Sequence, residues 1–192
     1  MKINRAFVEV TEGQVHYRYT PNSPTNTIPL VLLHMSPVAS GFLIPLMAAL
    51  GESERQLIAP DTFGNGDSSP LEINQPEISD FADGLVRFLD VIGVDRAHFY
   101  GVRTGAMIAT ELAIRHESRV ETVILDELLA TGGSETTGAI GEPCPPIDSY
   151  GSQFLWAWHV MRDHAIWYPW WHRRGSNRIK MDLPSAETLV RK

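Results

Sequence analysis

The chain has 192 residues, 43% of them hydrophobic and 20% charged, which is typical of one globular domain with a buried core. Acidic residues outnumber basic ones by 23 to 16, and the net charge of -7 excludes the basic field that a nucleic-acid partner needs. The chain has no long apolar run, no apolar leader and a single cysteine, Cys144, so we expect a cytoplasmic protein with no membrane partner.

The first sixty residues predict an antiparallel hairpin followed by two buried strands. Residues 5–20 alternate apolar and polar side chains on both sides of Glu12-Gly13, which is the pattern of a hairpin. Residues 28–34 and 55–61 are apolar runs of strand length, as in strands buried on both faces. Between them, residues 41–53 have helical spacing.

The alternation of helix and strand continues to residue 126. Residues 77–95 place apolar side chains on one helical stripe that ends at Gly93. A third buried strand at 97–101, a helix at 104–116 and a strand at 120–126 follow. The fold class is therefore α/β, with a mostly parallel sheet, helices on both of its faces and the antiparallel hairpin at one edge.

The character of the sequence changes after Leu129. A polar, Gly/Pro-rich stretch predicts a loop, and residues 153–174 then predict an aromatic helical segment that holds all five tryptophans of the chain. We divide the chain into a core, residues 1–129, and a second part, residues 130–192, made of this loop and the Trp-rich segment.

Three motifs of the core carry a family resemblance. They are VLLHMSP at 31–37, LIAPDTFGNGDSS at 57–69, and AHFYGVRTGAMIATELAIRHESRVETVIL at 97–125. In order and spacing they resemble the α/β-hydrolase fold: its His-Gly-x-Pro oxyanion loop, its Asp-x-x-Gly-x-Gly-x-Ser turn, and its nucleophile elbow with the strand that follows. The resemblance implies a hydrolase for small apolar esters, lactones or similar carbonyl substrates. It also implies that the Trp-rich segment is the helical cap.

The elbow departs from the family pattern at its central residue. A strand that reverses into a helix needs small residues around the bend, and Gly101 and Gly105 supply them. The residue between them, where the resemblance implies a nucleophilic serine, is Arg103. A guanidinium stays protonated and only donates hydrogen bonds, so Arg103 cannot attack a carbonyl carbon.

The resemblance also implies roles for residues near the elbow. It gives the backbone amides of Ser36 and Thr104 to an oxyanion hole, although Met35 replaces the glycine of that loop. It places Asp126 where some family members carry the catalytic acid. The alternative, which we prefer, is that Asp126 caps the end of a strand or pairs with Arg103.

The catalytic histidine of the family follows the last strand, and we expect it and the final strands to be missing because the chain ends at Lys192. His34 belongs to the oxyanion motif, where the resemblance implies a structural role at the edge of the pocket. Trp158 and His159 are candidate pocket residues of the cap, and aromatic packing is the alternative for His159. The spacing of the cap histidines does not favour a zinc site, so we predict neither a metal nor a cofactor.

Three functions remain open. The first is a family hydrolase with weak activity. The second is a non-catalytic protein whose pocket binds a small anionic ligand with an apolar body, and the third is a structural subunit. Without further strands, the strand at 120–126 becomes an apolar sheet edge, which needs a cover. We expect the Trp-rich segment or a second subunit to cover it, and we prefer a homodimer.

Overall fold

A computed structural model describes residues 2–21, 27–52, 55–128, 146, 148–166 and 178. The chain divides into two compact units, residues 1–129 and residues 130–192. Several predicted features lie outside the described residues: Cys144, most of the Gly/Pro-rich loop, and the second half of the Trp-rich segment with Trp167, Trp170 and Trp171.

The first unit is built on one six-stranded sheet with the order β1-β2-β4-β3-β5-β6. Its strands are β1 (Asn4–Val10), β2 (Gly13–Tyr19), β3 (Leu30–Leu33), β4 (Leu57–Pro60), β5 (Ala97–Val102) and β6 (Val120–Asp126). The hairpin β1-β2 is antiparallel and β2 continues antiparallel to β4, whereas β4, β3, β5 and β6 run parallel. The predicted α/β class, with an antiparallel hairpin at one edge of a mostly parallel sheet, is confirmed.

Three helices of the first unit follow the predicted order: α1 (Ile44–Ala49), α2 (Ile78–Val91) and α3 (Thr104–Arg115). The first is shorter than the predicted helix at 41–53, because 3-10 turns precede and follow it. Pro45 explains where its regular part begins. A proline is tolerated in the first turn of a helix, where its missing N–H has no acceptor to satisfy.

The core consists of two apolar layers, one on each face of the sheet. Alternate residues of β3 point to opposite faces, so Val31 and Leu33 join one layer and Leu32 joins the other. Residues of α2 and α3 complete the first layer, and Met47 of α1 belongs to the second. Burial of one such large apolar side chain contributes about 1.5–3 kcal/mol, so helix packing on both faces holds the sheet and the loops at its carboxyl end in place.

The second unit contains helix α4 (Ser152–Ile166). Asp148 caps its start, because one carboxylate oxygen accepts hydrogen bonds from the backbone amides of Tyr150, Gly151 and Ser152. Trp158 and His159 lie on α4 with exposed side chains. The role of this segment as a cap stays a prediction. Across the described ranges, no helix is both long enough and apolar enough to cross a membrane.

Candidate functional site

The site is a sharp corner between β5 and α3. Strand β5 ends at Val102 and α3 begins at Thr104, so Arg103 alone makes the turn. Its backbone has φ 51° and ψ -110°, a left-handed conformation that costs a residue other than glycine about 1–3 kcal/mol. The carbonyl of Arg103 accepts the amide of Met107 at 3.1 Å, which starts the helix directly after the corner.

Two glycines make this corner sterically feasible. A Cβ atom on Gly101 would come within 2.6 Å of the backbone nitrogen of Ala106, and it would overlap the carbonyl of Gly105. A Cβ atom on Gly105 would come within 2.8 Å of the carbonyl oxygen of His34. Helix α3 can therefore start directly over the end of β5, beside the loop that follows β3, only because both positions lack a side chain.

The side chain of Arg103 is ion-paired with Glu127. Its Nε donates to Oε2 of Glu127 at 2.5 Å, and the two side chains are 29% and 46% exposed. The amide of Arg103 also donates to the carbonyl of Asp126 at 2.9 Å. We expected Asp126 to cap the end of a strand or to pair with Arg103. The carboxylate that pairs with Arg103 is instead that of the next residue, Glu127, which has φ 52° and directly follows β6.

Asp126 has a different partner. The hydroxyl of Tyr100 donates to one of its carboxylate oxygens at 2.6 Å across the β5-β6 pair. Burial, and then this hydrogen bond, raise the pKa of Tyr100 to about 12. Asp126 therefore uses one carboxylate oxygen as an acceptor, while its side chain stays exposed at the end of the strand.

The two residues expected at the oxyanion hole are brought together. The amide of Ser36 points to the hydroxyl of Thr104, with a distance of 3.4 Å between the nitrogen and Oγ1. This is long for an N–H···O hydrogen bond, which is normally 2.9–3.0 Å. The amide of Thr104 is one of the first amides of α3, which have no acceptor within the helix.

His34 is a buried brace. Its Nε2 accepts the amide of Thr62 at 2.9 Å, so its Nδ1 carries the proton and donates to the carbonyl of Met35 at 2.9 Å. Burial lowers the pKa of His34, and the Met35 carbonyl and the charge of Asp61 oppose this only in part. Because the side chain is only 1% exposed and both nitrogens are used, His34 holds the loop after β3 to the segment that follows β4.

Asp61 ties the same loop to the hairpin, a role that the sequence analysis did not assign. Its carboxylate accepts the Nδ1–H of His16 at 2.8 Å and the amides of Ser40 and Asp67 at 2.7 and 3.0 Å. Burial alone would raise the pKa of Asp61, but these donors hold it below its ordinary value. The glycine-rich motif at 57–69 indicates this role of Asp61. A Cβ atom on Gly66 would come within 2.6 Å of the carboxylate carbon of Asp61, so a glycine is needed there for the turn to close over the carboxylate.

A metal ion has one candidate position in the described part of the chain. Ligand atoms of His16, Asp61 and Asp67 lie within 4.8 Å of one another. The 2.8 Å between His16 and Asp61 is a hydrogen-bond distance, and the carboxylate already accepts two backbone amides. A cation would compete with these donors for the same lone pairs, so we interpret the cluster as a structural network.

Comparison with known proteins places this geometry in a family. Residues 28–141, more than half of the chain, match the profile of the family described as alpha/beta hydrolase fold. The chain belongs to the α/β-hydrolase family. The corner at Arg103 is where we predicted the nucleophile elbow, and the Ser36 segment is where we predicted the oxyanion loop; both roles stay predictions.

Relatives within this family have several activities. The chain is 27% identical over 135 residues to a proline iminopeptidase of Clostridioides difficile, covering 68% of this chain and 45% of that protein. It is 26% identical over 102 residues to 3-oxoadipate enol-lactonase 1 of Acinetobacter baylyi, covering 53% and 37%. Among solved structures, haloalkane dehalogenase DbeA from Bradyrhizobium elkani matches with a TM-score of 0.59 and 25% identity, covering 67% and 43%. The chain thus spans less than half the length of each of these relatives.

Proposed function

We propose that this chain is an α/β-hydrolase-family protein that binds small carbonyl or carboxylate compounds at its elbow without forming a covalent intermediate. The observation that carries the proposal is Arg103 at the tip of the corner. Covalent acyl transfer needs a nucleophile at that position, and a guanidinium offers only N–H donors.

The hydroxyl next to Arg103 does not replace the missing serine. Thr104 lies at the first position of α3, and its Oγ1 faces the amide of Ser36. A threonine nucleophile needs a base within hydrogen-bond reach. In the ranges that the structure describes, no imidazole or carboxylate is hydrogen-bonded to this hydroxyl. The elbow therefore keeps the shape of the family site without its attacking group.

The remaining groups of the elbow favour the binding of an oxygen-rich head group. Arg103 supplies a permanent positive charge, and the amide of Ser36, on the loop after β3, supplies a donor beside Thr104. Both are donors that suit a carbonyl or carboxylate oxygen. These donors polarise and orient a ligand, which is the part of hydrolase chemistry that needs no nucleophile.

Hydrolysis by an activated water molecule is the second candidate, and Asp126 favours it. Its carboxylate is exposed at the carboxyl end of β6, and only one of its oxygens accepts the Tyr100 hydroxyl. In this mechanism Asp126 takes a proton from water as the water oxygen attacks the carbonyl carbon, and Arg103 stabilises the oxyanion of the tetrahedral intermediate. The intermediate then breaks its bond to the leaving alcohol oxygen, which receives the proton from Asp126. The lactonase among the relatives is consistent with this chemistry.

Steady-state assays with p-nitrophenyl acetate and a simple lactone separate the two candidates. The proteins to compare are the wild type, Arg103→Ala, Asp126→Asn and the control Glu121→Gln, whose carboxylate on the same strand pairs with Arg96 instead. The binding proposal predicts that all four rates equal the buffer rate. Turnover by the wild type and Glu121→Gln that is lost in Arg103→Ala and Asp126→Asn would replace it with the water mechanism.

A further inference from the structure

Arg103 is only partly used by its ion pair. A guanidinium has five N–H donors, and the described residues take only the one on Nε. The four on the two terminal nitrogens have no acceptor among them, and the side chain is 29% exposed. These terminal donors form the planar fork that binds a carboxylate through two parallel hydrogen bonds.

Glu127 is a partner that a ligand can displace. It meets Arg103 through a single Nε–Oε2 contact, and its side chain is 46% exposed. Ion pairs with this exposure are weak, because water and salt screen them and both side chains lose freedom when they pair. The carboxylate of Glu127 thus accepts a hydrogen bond from Nε of Arg103 but none from the terminal guanidinium N–H groups.

The surroundings of Arg103 add a further donor and an apolar neighbour. The amide of Ser36 makes only the long 3.4 Å contact with the Thr104 hydroxyl, so a ligand oxygen at normal distance would improve its hydrogen bonding. Leu125 lies opposite Gly101 in the β5-β6 register, and its side chain is 42% exposed. A charged head group and an apolar body would therefore both find matching groups on this unit.

We propose that Glu127 is an internal carboxylate that competes with a ligand, and that the elbow binds small organic monocarboxylates on Arg103 in its place. This inference rests on the proposed function, because both require Arg103 to act as a binding group. The apparent affinity is then reduced by the fraction of molecules in which Glu127 holds the guanidinium. Glu127 determines how tightly the ligand binds, and Arg103 determines whether it binds.

Titration with benzoate, followed by the NMR shifts of the Thr104 and Gly105 amides, tests the competition. Glu127→Gln keeps the size of the side chain and removes its charge, so it should bind benzoate about two- to sixfold more tightly than the wild type, the range that an exposed ion pair of about 0–1 kcal/mol allows. Arg103→Gln should show no saturable shift, and benzamide, which lacks the charge, should bind the wild type and Glu127→Gln more weakly than benzoate does. Glu121→Gln, which removes a carboxylate of β6 that pairs with Arg96, should match the wild type.

The inference is overturned if Glu127→Gln binds no more tightly than the wild type, or if Arg103→Gln still binds benzoate. Thermal melts of all variants verify that each is folded at the titration temperature. The two proposals also fail separately. Ester turnover that depends on Asp126 removes the proposed function, whereas an absence of turnover together with unchanged benzoate affinity in Glu127→Gln removes only this inference.

Discussion

Arg103 and Glu127 both have positive φ, 51° and 52°, and are joined by an Nε–Oε2 contact of 2.5 Å. Each directly follows the last register pair of the parallel strands β5 and β6, Val102 and Asp126. An exposed ion pair contributes about 0–1 kcal/mol, whereas each left-handed residue costs about 1–3 kcal/mol. The pair therefore does not create the corner. The packing of β5, α3 and the neighbouring loop imposes the backbone of the corner, and the ion pair forms on a backbone that is already fixed.

The close packing of the corner predicts that its second glycine cannot be replaced. Gly105→Ala should lower the free energy of unfolding by about 3 kcal/mol, because the added Cβ meets the backbone of Leu33 and His34. Urea unfolding measures the change. Gly41→Ala is the matched control: its Cβ would be 3.7 Å from the nearest atom, on Arg18, and should change stability by less than about 0.5 kcal/mol. Equal effects of the two substitutions would contradict the packing argument.

The network around Asp61 predicts a loss of stability in acid. Its pKa is lower in the folded protein than the ordinary 3.8, so the unfolded chain takes up the proton first as the pH falls. The unfolded state then binds more protons, and the free energy of unfolding falls as the pH drops through about 4 towards the folded-state pKa. Urea unfolding at a series of pH values between about 6 and 3 measures this slope.

Substitution identifies the source of the slope. Asp61→Asn should lower the unfolding free energy at neutral pH by about 2 kcal/mol and make the acid slope shallower, because the buried charged acceptor is gone. The pKa of Asp83, whose carboxylate accepts from His116 and Arg115, is also lowered, but its side chain is 32% exposed. Asp83→Asn should therefore flatten the slope less. An acid slope unaffected by Asp61→Asn would refute the role given to this network.

His34 should remain neutral where an ordinary histidine is half protonated. Its pKa lies below the usual 6.5, so the folded state stays unprotonated while the unfolded chain gains a proton, and stability falls as the pH drops below that value. Long-range proton–nitrogen NMR at pH 6.5 should show a neutral ring with hydrogen on Nδ1. A protonated ring, or hydrogen on Nε2, would exclude the brace between Met35 and Thr62.

We propose that two copies of the chain form a homodimer through the edge of β6 that no described strand pairs with. Within the described ranges β6 pairs with β5 on one side only, and its Ile124 side chain is 55% exposed. Unpaired apolar edges favour association. Size exclusion at micromolar concentration should show a dimer that Ile124→Lys converts to a monomer. Ile114→Lys, on the 71% exposed side chain of α3, should leave the dimer intact. A wild-type monomer would end this proposal.

Local patterns were sufficient to predict the sheet. The alternation in residues 5–20 and the apolar runs at 28–34 and 120–126 correspond to β1, β2, β3 and β6 within a few residues. Such patterns reflect burial of each segment, which depends on its own side chains. The helix predicted at 41–53 was less accurate, since short 3-10 turns replace both of its ends.

The partners of the site residues could not be predicted in the same way. The pairing of Arg103 with Glu127 depends on the register of β5 against β6, and that of His16 with Asp61 depends on β2 lying beside β4. These residues are far apart in the sequence, and no periodicity indicates which of two adjacent carboxylates faces the guanidinium. The position of Arg103 at a corner could be predicted, because Gly101 and Gly105 indicate a tight strand-to-helix turn whatever residue lies between them.

Pre-steady-state release of p-nitrophenol distinguishes ligand binding from covalent catalysis at the elbow, since a covalent intermediate produces a burst and a binding site does not. With p-nitrophenyl acetate, we expect no burst, and mass spectrometry of proteolytic peptides should show no acetyl adduct on residues 101–105. A burst equal to the protein concentration, with an adduct on Thr104 that is lost in Thr104→Val, would contradict it.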